Sequence, residues 1–149
     1  MVAFQALLTK HYKPMIQKLA MKITICGSMA FANKMVEAKT VLEESGHQVF
    51  IPSDTDKHIK DPILRDDLEL NYKHSLETDI MREHMNLISN SDAILVLNYP
   101  KNGIDGYVGT CTLIETSIAY YLNKKIFLLH RSIRLKAGGE RVILLKRLL

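Results

Sequence analysis

The sequence predicts an α/β protein, a single three-layer Rossmann-like (flavodoxin-like) domain whose mostly parallel sheet of about four to five strands carries helices on both faces. Three observations predict it. Short apolar runs at 22–26, 47–52, 93–97 and 126–129 alternate with longer stretches of helical period. The first and third runs each pass into a glycine-containing turn that opens a helix, the sign of a βα unit. The resulting order, β α β, an insertion, then α β α β, is that of parallel strands joined by helical crossovers.

Residues 1–20 have a weak helical period (Phe4, Leu7, Leu8, Tyr12) broken at Pro14, and read as an N-terminal extension. The clear pattern begins at Met21. KITIC, Lys22–Cys26, is β-branched and reads as the first strand. It runs into Gly27, which permits a tight turn, and Ser28, which can cap the helix expected over 30–45. That helix is expected to bury Met29, Ala32, Met35, Val36 and Leu42 and to stop at Gly46. HQVFIP, His47–Pro52, reads as the second strand. The polar stretch 53–77 reads as a mobile excursion with one short helix from Pro62 to about Leu70, an insertion of the kind that becomes a lid. A helix follows from Thr78, its expected N-cap, to Ile88, with Ile80, Met81, Met85 and Ile88 on its apolar face and His84 turned the same way. Ser89–Asp92 turns into the strand AILVLN, which Asn98 and Tyr99–Pro100 end. Gly103, Gly106 and Gly109 then form a loop before the helix Thr110–Leu122 and the strand KKIFLL. The last segment, 131–149, contains an amphipathic run, VILLKRLL, compatible with helix or strand.

Composition narrows the function classes. The chain has 149 residues, 47% of them hydrophobic and 24% charged, enough for one domain that buries about two-thirds of its unfolded surface. No apolar run approaches the roughly 20 residues needed to cross a bilayer, and 1–20 lacks a signal-peptide pattern. Cys26 and Cys111 have no metal spacing and read as reduced thiols of a cytoplasmic protein. The net charge is +4, but residues 1–20 supply +3 and 131–149 supply +5, leaving the central part acidic at −4. Basic ends without a helix-turn-helix, zinc or stacking-aromatic signature make nucleic-acid binding unlikely. The six histidines and the acids offer no convincing metal set, since His74 and His84 fall on different elements, and no cofactor is expected.

The chemistry is expected between Asn102 and Leu129. The glycine loop follows the carboxyl end of a strand, where open α/β sheets bind ligands. Glu115, one to two turns into the next helix among Leu113, Ile114, Ile118 and Ala119, reads as a partly enclosed carboxylate and the first candidate for the reacting group. A salt-bridged surface acid is its alternative, as simple capping is for Gly27 and Ser28.

From Met21 to about Leu129 the chain resembles the nucleoside 2-deoxyribosyltransferase-like superfamily, which includes the 2'-deoxynucleoside 5'-monophosphate N-hydrolases. The resemblance rests on ITICGSM, on the helix before SDAILVLN, and on GYVGTCTLIETSIAYYLNKKIFLL with its Glu115, Ala119 and Asn123. It implies N-glycosidic bond cleavage or base exchange on a 2'-deoxynucleoside or its 5'-monophosphate. Glu115 would then be the nucleophile that forms a glycosyl-enzyme intermediate. It implies substrate contacts at Cys26, Gly27, Ser28, Asn98, Gly106, Tyr107 and Gly109, a second catalytic group at His84, and a homodimer. The departure is at His84, where the family usually carries an acid; a histidine can still donate to the leaving base or orient a water. Two other readings stay open. GYVGTCTLIE is also similar to the phosphate loop of nucleotide phosphoribohydrolases of the cytokinin-activating type, without their Pro-Gly-Gly. The same pocket could serve a non-catalytic nucleotide sensor.

Overall fold

The fold is described from a computed structural model covering residues 20–130 and 142–144, with Arg65, Asp66, Leu68 and Val142–Leu144 described by backbone alone. The expected N-terminal extension and most of the basic C-terminal segment lie outside the described residues. The β-branched run forms β1, Lys22–Gly27, whose Ile23, Thr24, Ile25 and Cys26 are all buried. A 3-10 turn, Met29–Phe31, then leads into α1, Ala32–Glu44. The helix therefore starts later than the serine alone suggests: Ser28 Oγ accepts from the Ala30 amide at 3.3 Å and caps the 3-10 turn. α1 buries Ala32, Met35, Ala38, Val41 and Leu42, while Val36, expected inside, is 37% exposed. It ends in a Schellman motif. Gly46, at φ 91°, donates to Glu43 O, and His47 donates to Leu42 O.

β2 is Gln48–Phe50. The stretch 53–77, expected to hold one short helix, holds three: α2 (Thr55–Lys60), α3 (Pro62–Asp66) and α4 (Leu68–Glu77). The reason is local. The Asp61 and Asp67 carboxylates accept from the first amides of α3 and α4, so each aspartate starts a new helix. Thr78 does not cap the next helix: its Oγ1 donates back to His74 O and closes α4. α5, Ile80–Ser89, starts from Asp79 and buries His84 and Ile88.

β3 (Ala93–Leu97) is buried along its whole length, as a central parallel strand must be. After the glycine loop come α6 (Thr110–Tyr121), β4 (Lys125–Leu128) and β5 (Val142–Leu144), the last being the strand alternative for the C-terminal run. All five strands are parallel, in the order β2-β1-β3-β4-β5. One face packs on α1 through Ile23, Ile25, Met35, Leu42, Leu95 and Phe127. The other packs on α5 and α6 through Cys26, Ile88, Ile94, Val96, Ala119 and Ile126. In this order the chain reverses direction across the sheet between β1 and β3, and their carboxyl ends bound the crevice where such folds take ligands.

Candidate active site

Gly27 ends β1 in register with Leu97 of β3, and a Cβ there would lie 3.0 Å from the Leu97 carbonyl oxygen. A side chain there would force the two strand ends apart by a few tenths of an ångström. Asn98, fully buried, uses both halves of its amide on one neighbour: Nδ2 donates to His130 O at 2.7 Å and Oδ1 accepts from His130 N at 2.8 Å. It fastens the end of β3 to the end of β4, so its polar atoms serve the scaffold rather than the crevice.

The loop after β3 is more structured than three glycines suggest. Asn102 and Gly103 both take positive φ, 52° and 71°, inside a hairpin closed by two bonds between Lys101 and Ile104. That is the Asn-Gly turn of a tight hairpin. It brings Lys101 back over the crevice, where Nζ donates to Ser28 Oγ at 2.9 Å and lies 5.3 Å from the centre of the Tyr107 ring. Gly106 is buried, and Gly109 precedes α6 with no side-chain cap on the helix. Ser28 and Tyr107 thus meet around one ammonium that the sequence reading did not single out, and Gly109 lies against the Tyr107 ring. Its signal was a lone lysine beside Asn-Gly in a glycine loop.

Thr112, Glu115, Thr116 and Ala119 form the buried face of α6, while Ile114 is 43% exposed and turned away. Glu115 is 6% exposed. Its Oε1 lies 3.7 Å from His84 Nε2, which lies 3.7 Å from Cys26 Sγ. Three elements, β1, α5 and α6, therefore bring Cys26, His84 and Glu115 together beneath the sheet's carboxyl edge. Glu115 Oε2 and His84 Nδ1 find no hydrogen-bond partner among the described residues.

Burial sets the charge state. It pushes the Glu115 carboxyl up to about 8, against a smaller downward pull from its hydrogen bond with Cys26. Burial also lowers His84 to about 4, opposed by the charges of Asp54 and Glu83. The Cys26 thiol is held well above its usual range by burial and then by Glu115. Between those limits the Glu115 carboxyl holds a proton and the His84 imidazole is neutral.

A second gathering escaped the sequence reading altogether. Asp54, His58 and His74 meet beside a cavity of about 550 Å³ lined by Ser53, Asp54, His74, Thr78, Asp79, Ile80, Arg82, Glu83 and Asn86. This cavity does not include Glu115, although it is walled by the helix that carries His84. Cys111 is exposed, and Asp92 accepts from the Lys22 amide at 2.8 Å, a strand-end contact. Among the described residues no helix is long and apolar enough to cross a membrane. Protein-family models, curated proteins and solved structures yield no match to this chain.

Proposed function

We propose that the protein cleaves, or exchanges the base across, the N-glycosidic bond of a 2'-deoxynucleoside or its 5'-monophosphate, with Glu115 as nucleophile. The observation that carries this reading is Glu115 itself. It is a buried carboxyl at the carboxyl edge of a doubly wound sheet, with an imidazole nitrogen 3.7 Å away.

Such chemistry needs a carboxylate against a developing oxocarbenium ion and a proton for the leaving base. The pair holds both requirements in one proton. When Glu115 passes its proton to His84, Oε1 becomes the nucleophile and the imidazolium becomes the acid. Attack on C1' breaks the C–N bond, the base leaves with the proton from His84, and Glu115 holds the sugar as an ester. Water, or a second base, then takes C1', gives its proton to His84 and frees the carboxylate, and that proton returns to Glu115. Low-dielectric surroundings favour this neutral resting pair, and a positively charged sugar stabilises the ionised one. Cys26 donates to the same carboxyl and limits the upward shift of its pKa.

Lys101, held over Ser28 and Tyr107, favours a phosphorylated substrate over a free nucleoside. The uncapped N-terminus of α6 adds aligned amides on the same side. Two free thiols, one of them exposed, suit a cytoplasmic protein, and the family resemblance supports a homodimer.

A chromatographic assay with each deoxynucleoside and deoxynucleoside monophosphate, with and without a second free base, tests the reading. Base release from monophosphates alone identifies a nucleotide hydrolase; exchange of bases identifies a transferase. Release from ribonucleotides but not deoxyribonucleotides favours the phosphoribohydrolase alternative. Binding without turnover of any of them contradicts the enzymatic reading and leaves a nucleotide sensor.

A further inference from the structure

Asp54, His58 and His74 come from the polar stretch that the sequence pattern leaves without a core. His58 Nε2 lies 3.1 Å and His74 Nε2 3.2 Å from the same oxygen, Asp54 Oδ2, and all three atoms lie within 4.8 Å of one another. The side chains are enclosed, with exposures of 2% for His58, 12% for Asp54 and 11% for His74. Ligands at about 2.0–2.1 Å from a tetrahedral zinc ion stand about 3.3 Å from each other. The histidine–aspartate separations are already close to that spacing.

A carboxylate accepting two imidazole N–H groups is the plain alternative, and three features go beyond it. Asp54 and His74 both line the cavity of about 550 Å³, so the fourth side of the trio faces open space instead of packed core. His58 Nδ1 is buried with no partner among the described residues, so the ring's only polar engagement is through the nitrogen that faces Asp54. The helix carrying His74 buries little apolar surface: Leu70, Tyr72 and Leu76 are 44%, 65% and 68% exposed. A cross-link between α2 and α4 would supply what this segment lacks.

We propose that Asp54, His58 and His74 bind a divalent first-row transition cation of the zinc type, leaving a coordination position open to the cavity for water or an anionic oxygen. Two histidines and one carboxylate with an open position are a donor set for such ions and a poor one for calcium or magnesium. Each imidazole offers its Nε2 lone pair by moving that proton to Nδ1, so no proton is released. At His74 this requires Lys57 Nζ, 3.3 Å from Nδ1 on the exposed side, to swing into solvent. The site does not depend on the glycosidic reading and is tested without turnover.

The full chain, stripped of metal, is titrated with Co²⁺, and Zn²⁺ is then used to displace it. One equivalent of Co²⁺ should give the visible absorption of a low-coordinate nitrogen–oxygen site without a thiolate charge-transfer band, and Zn²⁺ should raise Tm. Asp54→Asn and His74→Gln, both at the cavity wall, should each weaken binding about 100-fold or more. Glu115→Gln and Cys26→Ala should leave it unchanged. No saturable binding below millimolar Co²⁺ overturns the proposal. So does binding untouched by the Asp54 and His74 changes, or binding lost with Glu115→Gln or Cys26→Ala, which would move the ion to the other trio.

Discussion

Glu115 and His84 are each ordinary residues made unusual by the same cause. Both lose water, and burial disfavours whichever of them is charged. As the one-proton state is the active one, kcat/KM should be level between about pH 4 and pH 8 and fall tenfold per unit above 8, where the pair loses its last proton. His84→Asn should lower kcat by about 10²–10⁴ and replace the plateau with a rise through the pKa of Glu115. Stability follows from the same proton. Above pH 6.5 the unfolded chain has released the protons of both groups, while the folded pair keeps one up to about 8. The unfolded state therefore binds fewer protons, and stability falls by about 1 kcal/mol as pH rises from 6.5 to 8. Glu115→Gln should abolish that alkaline loss in urea melts taken at each pH. Lys101→Met gives a test of a different kind: KM for a monophosphate should rise about tenfold, with little change for the free nucleoside.

At the scale of elements, the crevice depends on how closely β1 and β3 end. Gly27→Ala sets a methyl 3.0 Å from the Leu97 carbonyl oxygen, a backbone atom that cannot swing aside, and should cost about 1–3 kcal/mol in denaturant unfolding. Legibility also differs by element. The strands and their succession along the chain came through because burial on both faces makes β3 an unbroken apolar run and β1 one interrupted only by Thr24. Within α6 the enclosure of Glu115 was expected from its apolar neighbours, but the face that encloses it is Thr112, Thr116 and Ala119, with Ile114 turned outward. The stretch 53–77 was not legible, because two of its three helices are set by aspartate caps and carry almost no apolar period. Asn123 teaches a separate lesson. Its place after the helix counted toward the family resemblance, and it also has a local reason. At φ 58° it closes α6 in a second Schellman motif, with Asn123 N donating to Tyr120 O and Lys124 N to Ala119 O. The Asp54–His58–His74 cluster was illegible for a related reason: Asp54 and His58 are neighbours by helical spacing, but only the return of α4 brings in His74.

For the whole molecule, the sheet order gathers β1, β3, the glycine loop, α5 and α6 at one edge, so residues as distant in sequence as Cys26 and Glu115 come within 4.8 Å of each other. The homodimer expected from the family resemblance makes a simple prediction. Sedimentation equilibrium should return twice the chain mass of 17.0 kDa, and a single-chain mass at assay concentration would contradict it. The central claim, that Glu115 takes the sugar from its base, is tested most directly by acid-quenching the reaction early and weighing the intact protein. The account predicts an added deoxyribosyl or deoxyribosyl-phosphate group, mapped to the peptide that holds Glu115 and missing from Glu115→Gln. Base release with no such adduct, or an adduct that survives in Glu115→Gln, would contradict it.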